Sequence, residues 1–211
     1  MLLPHLLEYT CLLVLLAFLS DIGQATREEL EALGAQHSCI FASAVLVEVL
    51  RKRGFSGAQA LTVHARVLNP PFTAWVKARG YPKNPTELAE CEAQGGAIVG
   101  LGGKLDESLL ADQWPGHAVV ITPGAFGDRH ALLDVTITQA NKQEWGIELP
   151  PLLARVGDEF VRGEKEFKAD VNSSLVVYKA LPDDGSYQAS VLWTDTSRWK
   201  SAAERAIAAL G

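Results

Sequence analysis

Three residues of this chain carry side chains that together could perform thiol-based catalysis: Cys39, His117 and Asp134. The cysteine stands at the start of a predicted helix, the histidine opens a predicted strand, and the aspartate lies within the next strand. Adjacent strands can hold a histidine and a carboxylate side by side on one sheet face. A carboxylate on one imidazole nitrogen fixes the tautomer and leaves the other nitrogen to take a thiol proton. The order of the three residues therefore indicates an activated cysteine.

The helix that carries Cys39 has local signals at both ends. Ser38 is a good N-cap, because its hydroxyl can accept from a free backbone N–H of the first turn. Apolar residues on most sides indicate a central, buried helix, and the cations at 51–53 followed by Gly54 favour its end there. The free N–H groups of the first turn favour a thiolate at Cys39 and could receive an oxyanion. The alternative for a lone cysteine is a small buried apolar residue.

The strands of His117 and Asp134 are predicted as a hairpin. A β-branched run at 119–122 closes at Pro123-Gly124, and residues 130–139 supply its antiparallel partner. Alternation at 60–68 predicts a half-buried strand with His64 on its polar face. The other predicted elements are helices at 4–19, 86–92 and 198–210, a capped turn at Thr26, strands at 95–103, 175–181 and 187–193, otherwise irregular chain at 70–96, and a surface excursion at 144–163.

Length and composition limit the possible partners. With 211 residues, 48% of them hydrophobic and 21% charged, the chain can form one globular domain. The net charge of −6 argues against general nucleic-acid binding, which needs a basic surface. Its three cysteines are widely spaced and form neither a disulfide framework nor a CxxC metal signature. We therefore expect a reducing compartment, the cytoplasm.

The N-terminal region contains an unbroken apolar run at 11–19. A spanning helix needs about 17 residues or more, so no membrane span is expected. The run could be the core of a secretory signal within residues 1–25, with Gly23-Gln24-Ala25 as the cleavage site. However, no Lys or Arg precedes Arg27, and Glu8 lies where a signal peptide is positive. We favour a buried N-terminal helix.

Other residues are candidates for parts of the site. Gln36 could donate to an oxyanion together with the N–H of Cys39, or it could cap the helix or face solvent. Trp114 could line a substrate pocket or simply pack. His64 is a rival base, although no Asp-x-Thr neighbour accompanies its strand.

Three short motifs carry a family resemblance: Cys39-Ile-Phe-Ala with a Leu-Arg-x-x-Gly helix end, Gly116-His-Ala-Val-Val-Ile, and Leu133-Asp-Val-Thr-Ile-Thr-Gln. In this order they resemble the transglutaminase-like branch of the papain-type cysteine superfamily, over residues 36–140. The resemblance implies that Cys39 is the nucleophile, His117 the base and Asp134 the residue that orients the base. The chain departs from the family in having Ser38 where many transglutaminases have glutamine. Its long interval between Cys39 and His117 predicts an insertion at 70–112.

We therefore expect one α+β domain over residues 1–211, papain-like (transglutaminase-like), with N-terminal helices packed on an antiparallel β-sheet. The expected activity is attack on an amide, ester or thioester carbonyl of an acyl or peptide substrate, through a covalent acyl-enzyme and without a cofactor. Hydrolysis is favoured over acyl transfer, because no amine or coenzyme site is apparent. One alternative is a zinc site built from Cys, His and Asp, which the ligand spacing does not favour. Another is a catalytically inactive binding or assembly protein on the same fold. No motif specifies the substrate or the oligomeric state.

Overall fold

The computed structural model describes the backbone of residues 3–102 and 116–211, and the side chains of residues 12–102 and 116–211. Within these residues, helices pack on an antiparallel sheet that nearly closes on itself, which confirms the mixed α+β class. The helices are α1 (Leu3–Ala32), α2 (Cys39–Lys52), α3 (Pro70–Arg79), α4 (Pro85–Ala93), α5 (Asp158–Val161), α6 (Val191–Thr194) and α7 (Thr196–Ala209). The strands are β1 (Gln59–Leu68), β2 (Ile98–Leu101), β3 (His117–Phe126), β4 (Arg129–Asp134), β5 (Leu152–Val156), β6 (Phe167–Val171) and β7 (Ser174–Ala180).

The sheet runs in the order β5-β4-β3-β1-β7-β6, and β2 adds to β1. Successive side chains of a strand point to opposite faces, and buried clusters lie on both faces of this sheet. The inner face carries Val63 of β1, Val119 of β3 and Leu132 of β4, which belong to one buried cluster. The outer face carries Val120 and Leu133, which pack with α1, α2 and α7 in a second cluster.

The central element of the outer core is α2, as its sequence predicted. Ser38 is its N-cap and accepts a hydrogen bond from the Phe41 N–H at 3.4 Å. Buried side chains such as Leu46 and Leu50 pack the helix against the sheet, and burial of each contributes about 1.5–3 kcal/mol to the stability of the fold. The chain leaves the helix through Gly54, whose φ of +99° is unfavourable for a residue with a Cβ.

The N-terminal helix differs from its prediction. In place of a helix at 4–19 and a separate capped turn, α1 continues to Ala32, and Thr26 is buried inside it. Contacts of Leu19 and Ile22 with the outer core outweigh the local capping signal. The apolar run itself is only partly covered, because Leu13 is 57% exposed and Val14 is 64% exposed. Among the described helices, none is both long enough and apolar enough to cross a membrane.

The region 70–96 is more regular than predicted, because α3 precedes the expected short helix α4. Asn69 caps α3 by accepting from the Phe72 N–H at 3.1 Å, and Pro70 occupies the first turn. The Asn-Pro-Pro sequence therefore ends β1 and begins a helix at the same point. Residues 103–112 of the predicted insertion lie outside the described residues.

Three further predictions need correction. Residues 187–193 form the 3-10 helix Ser186–Ala189 and the start of α6, where the rings of Tyr187 and Trp193 pack edge-to-face at 4.7 Å. The predicted excursion at 144–163 contains β5, which pairs with β4, and α5. In the hairpin, β3 continues through Pro123-Gly124 with a register shift, and β4 ends at Asp134 rather than at 139.

Candidate active site

The structure brings Cys39, His117 and Asp134 together. Cys39 is the first residue of α2, His117 the first of β3, and Asp134 the last of β4. The Nε2 atom of His117 lies 2.8 Å from Oδ2 of Asp134, and the Cys39 thiol is close enough to the imidazole to contribute to the raised pKa of His117. The Sγ atom of Cys39 is 3.9 Å from the carbonyl oxygen of Gly116, the residue before His117.

Strand register explains why His117 and Asp134 meet. Val120 pairs with Leu133, so Asp134 lies opposite Val119 and diagonally across from His117 on the inner face. His117 also pairs with Val63 of β1. Because His64 follows Val63, its side chain lies on the other face of β1, and His64 is not placed to act as the base.

The Asp134 carboxylate has donors on both oxygens. Oδ2 accepts from His117 and from the Tyr178 hydroxyl, each at 2.8 Å. Oδ1 accepts from the N–H of Thr136 at 3.0 Å and from its hydroxyl at 3.2 Å. Burial raises the pKa of Asp134, but the charge of His117 and the hydrogen bonds from His117, Tyr178 and Thr136 outweigh it, so the net shift is downward. The carboxylate is therefore ionised at neutral pH.

His117 is held as a cation between Asp134 and Cys39. Burial lowers the pKa of His117, but the charge and hydrogen bond of Asp134, together with the contact to Cys39, raise it to about 10. Because Nε2 faces Asp134, the Nδ1 atom is the ring nitrogen left for the thiol. A protonated imidazole beside a cysteine favours the thiolate, which is the nucleophilic form.

The first turn of α2 offers unused donors beside the sulfur. The N–H of Phe41 bonds to Ser38 Oγ, and the N–H of Ala42 bonds to the Ser38 carbonyl at 2.9 Å. The N–H groups of Cys39 and Ile40 make no hydrogen bond to any described residue. Two free N–H groups at a helix N-terminus can stabilise a negatively charged oxygen.

Gln36 precedes the helix but does not cap it, because Ser38 does. Its Oε1 atom is buried and has no hydrogen-bond partner among the described residues. Its role as an oxyanion donor stays a prediction. Trp114, the predicted pocket residue, lies outside the described residues.

Two residues of this region were missed by sequence reasoning. Tyr178 contacts Asp134 from β7, and its signal is a tyrosine in a buried strand, since a buried phenol needs a partner. Arg27 of α1 donates through Nη1 to the carbonyl of Gln36 at 3.4 Å, to that of Val135 at 3.2 Å and to Thr138 Oγ1 at 2.7 Å. It thereby ties the segment before Cys39 to the segment after Asp134, and nothing local in the sequence marks it.

Within the described ranges, no group of three or more His, Cys, Asp and Glu side chains is arranged to hold a metal ion. The chain matches no family model, no curated protein and no solved structure.

Proposed function

We propose that this protein is a cysteine-nucleophile enzyme that attacks an amide, ester or thioester carbonyl through a covalent acyl-enzyme. In this proposal the domain is papain-like, of the transglutaminase-like branch that its motifs resemble. The observation that carries it is the buried His117–Asp134 pair, 2.8 Å apart, whose imidazole interacts with Cys39 at a helix N-terminus.

In the acylation step the Cys39 thiolate attacks the carbonyl carbon and forms a carbon–sulfur bond. The carbonyl π electrons move to oxygen, and the N–H groups of Cys39 and Ile40 are the donors available to that oxyanion. His117 then gives its Nδ1 proton to the leaving group as the bond to that group breaks. The products are a thioester on Cys39 and the released amine, alcohol or thiol.

In the second step a water molecule attacks the thioester. His117, now neutral, takes the proton of the water, and the carbon–sulfur bond breaks to release the acid and the Cys39 thiolate. An amine in place of water would make the same site an acyltransferase. We favour hydrolysis, since no amine or coenzyme site is evident in the sequence.

Site-resolved alkylation tests this proposal before any substrate is known. Iodoacetamide labelling of Cys39 and Cys91 is followed by mass spectrometry from pH 5 to 9, in the wild type and in His117→Ala. Cys91 is the internal reference, because it is 1% exposed and burial raises its pKa, with a further upward contribution from Glu92. We expect rapid labelling of Cys39 well below pH 8 that His117→Ala abolishes.

A substrate screen follows, using activated esters, thioesters and peptide amides as acyl donors. The acyl-enzyme should appear as an added mass on the Cys39 peptide, and folded Cys39→Ala should be inactive. Slow labelling of Cys39 that His117→Ala leaves unchanged, or full activity of Cys39→Ala, would contradict the proposal. Slow labelling of this kind would favour the inactive binding or assembly protein, whereas full activity of Cys39→Ala would mean that another residue is the nucleophile.

A further inference from the structure

We propose that Tyr178 is a positioning residue of this site: its hydroxyl holds the Asp134 carboxylate in the orientation that directs His117 Nδ1 to Cys39. The inference rests on the proposed function and adds to it a residue from a distant strand. Tyr178 does not touch the reacting atoms in this scheme, and it acts through Asp134.

The Tyr178–Asp134 contact crosses the interior of the sheet. In the strand order β5-β4-β3-β1-β7-β6, two strands separate β4, which carries Asp134, from β7, which carries Tyr178. The two residues are therefore not neighbours on adjacent strands. Their side chains meet because both belong to the inner face, and the hydroxyl lies 2.8 Å from Oδ2.

The Tyr178 ring is held in place by its surroundings. The residue is 0% exposed, and its ring stacks on that of Phe167 with centroids 6.4 Å apart. Burial and the negative charge of Asp134 raise the pKa of Tyr178 well above its usual value, so the phenol keeps its proton as a donor. A fixed donor in a buried site constrains a carboxylate more firmly than a mobile water would.

Tyr178 and His117 donate to the same oxygen of the Asp134 carboxylate, so loss of the Tyr178 hydroxyl acts directly on the oxygen that holds the imidazole. Thr136 supplies both donors to Oδ1, whereas His117 and Tyr178 share Oδ2. Without the hydroxyl, Oδ2 keeps only the imidazole, and the buried charge loses one of its four donors. The carboxylate then becomes easier to protonate, and the imidazole loses a constraint on its orientation.

The test is Tyr178→Phe, which removes the hydroxyl and keeps the ring. Tyr187→Phe is the matched control, because Tyr187 is also buried but its hydroxyl lies 3.4 Å from the carbonyl oxygen of Ala60. We expect Tyr178→Phe to slow Cys39 alkylation at pH 6 about tenfold and to move the acid limb of its pH profile to higher pH. Tyr187→Phe should leave the profile of Cys39 unchanged.

A double-mutant cycle with Asp134→Asn separates positioning from a general packing effect. If Tyr178 acts through Asp134, Tyr178→Phe should slow alkylation in the wild type but not in Asp134→Asn. Equal slowing in both backgrounds would overturn the proposal, as would a Tyr178→Phe profile identical to the wild type. A Tyr178→Phe protein that fails to fold at 25 °C, judged by circular dichroism, would also overturn it, since the loss of Cys39 reactivity would then come from loss of the fold.

A second readout does not depend on the thiol. The His117 ring nitrogens are titrated by 15N NMR in the wild type and in Tyr178→Phe, and we expect the variant's imidazole signals to shift and their titration to move. If alkylation of Cys39 in the wild type does not depend on His117, the proposed function is contradicted, but the role of Tyr178 is not. An unchanged His117 titration in Tyr178→Phe would defeat the role of Tyr178 alone.

Discussion

The guanidinium of Arg27 and the hydroxyl of Thr138 lie 2.7 Å apart, and their hydrogen bond joins α1 to the segment that follows Asp134. The same Nη1 atom also contacts the carbonyl of Gln36, three residues before Cys39. The nucleophile and the carboxylate belong to different elements, so their relative position depends on contacts of this kind. Arg27 is only 13% exposed at its side chain, which protects these hydrogen bonds from water.

We predict that Arg27→Gln destabilises the protein by about 1–3 kcal/mol, because it leaves part-buried carbonyl groups without donors. Arg27→Lys should recover only part of the lost stability, since an ammonium group cannot place its donors in the fixed planar directions of a guanidinium. The measurement is urea unfolding followed by circular dichroism. Arg205→Gln is the matched control, because its ion pair with Glu29 involves a half-exposed arginine side chain, and its loss should destabilise the protein less than the loss of Arg27 does. Equal costs for the Arg27 and Arg205 variants would contradict this role of Arg27.

The buried His117–Asp134 pair should make stability depend on pH in a defined direction. The pKa of His117 is raised from 6.5 to about 10, so its contribution is full below pH 6.5 and is lost as pH rises to about 10. The pKa of Asp134 is lowered from 3.8, so its contribution is full above about pH 4 and is lost in more acidic solution. The pair should therefore stabilise the fold most between about pH 4 and 6.5.

The measurement is the free energy of unfolding in urea from pH 3 to 10, for the wild type and for His117→Gln/Asp134→Asn. The double variant removes both titrating groups while keeping polar side chains at both positions. The difference between the two proteins should be largest near pH 5 and should shrink towards both ends. A constant difference across this range would show that the pair is not ionised in the folded protein.

Asp134→Asn should slow the thiol chemistry without abolishing it. An amide nitrogen facing Nε2 would donate rather than accept, and this favours the wrong imidazole tautomer at Nδ1. We expect a loss of about 10²–10⁴-fold in turnover of the acyl donor, less than the complete loss in Cys39→Ala. The comparison requires the rate of acyl-donor turnover in both variants and in the wild type, with Thr122→Val as a control for a buried polar residue elsewhere on β3. An Asp134→Asn enzyme as fast as the wild type would remove Asp134 from the mechanism.

Local signals in the sequence were enough to predict the parts of the site that single elements position. The Ser38 cap fixes Cys39 at a helix N-terminus, and the β-branched run after His117 fixes the start of β3. Arg27 and Tyr178 could not be predicted in the same way. Their partners lie 111 residues away at Thr138 and 44 residues away at Asp134, and only the folded sheet brings them together.

The errors in the fold have related physical causes. The capping signal at Thr26 was real but weaker than the packing of α1 on the outer core, which favoured one continuous helix. The apolar residues at 187–193 resemble a strand, but the edge-to-face contact of Tyr187 and Trp193 stabilises two short helical turns. Short apolar segments are ambiguous between helix and strand until their tertiary contacts are known.

The turn between β6 and β7 offers a prediction that is independent of function. Asn172 and Ser173 have φ angles of 47° and 67°, and they connect two antiparallel strands as a two-residue hairpin loop. A loop with positive φ at both positions favours Asn-Gly, because a residue with a Cβ is strained there. Ser173→Gly should therefore raise the free energy of unfolding by about 0.5–1 kcal/mol, measured from urea curves with an unchanged slope.

Gly127→Ala is the opposite control: Gly127 has a φ of +73° and open space around it, so a Cβ adds only backbone strain and should cost about 1 kcal/mol. A destabilised Ser173→Gly protein would mean that the serine side chain contributes more than the backbone strain costs.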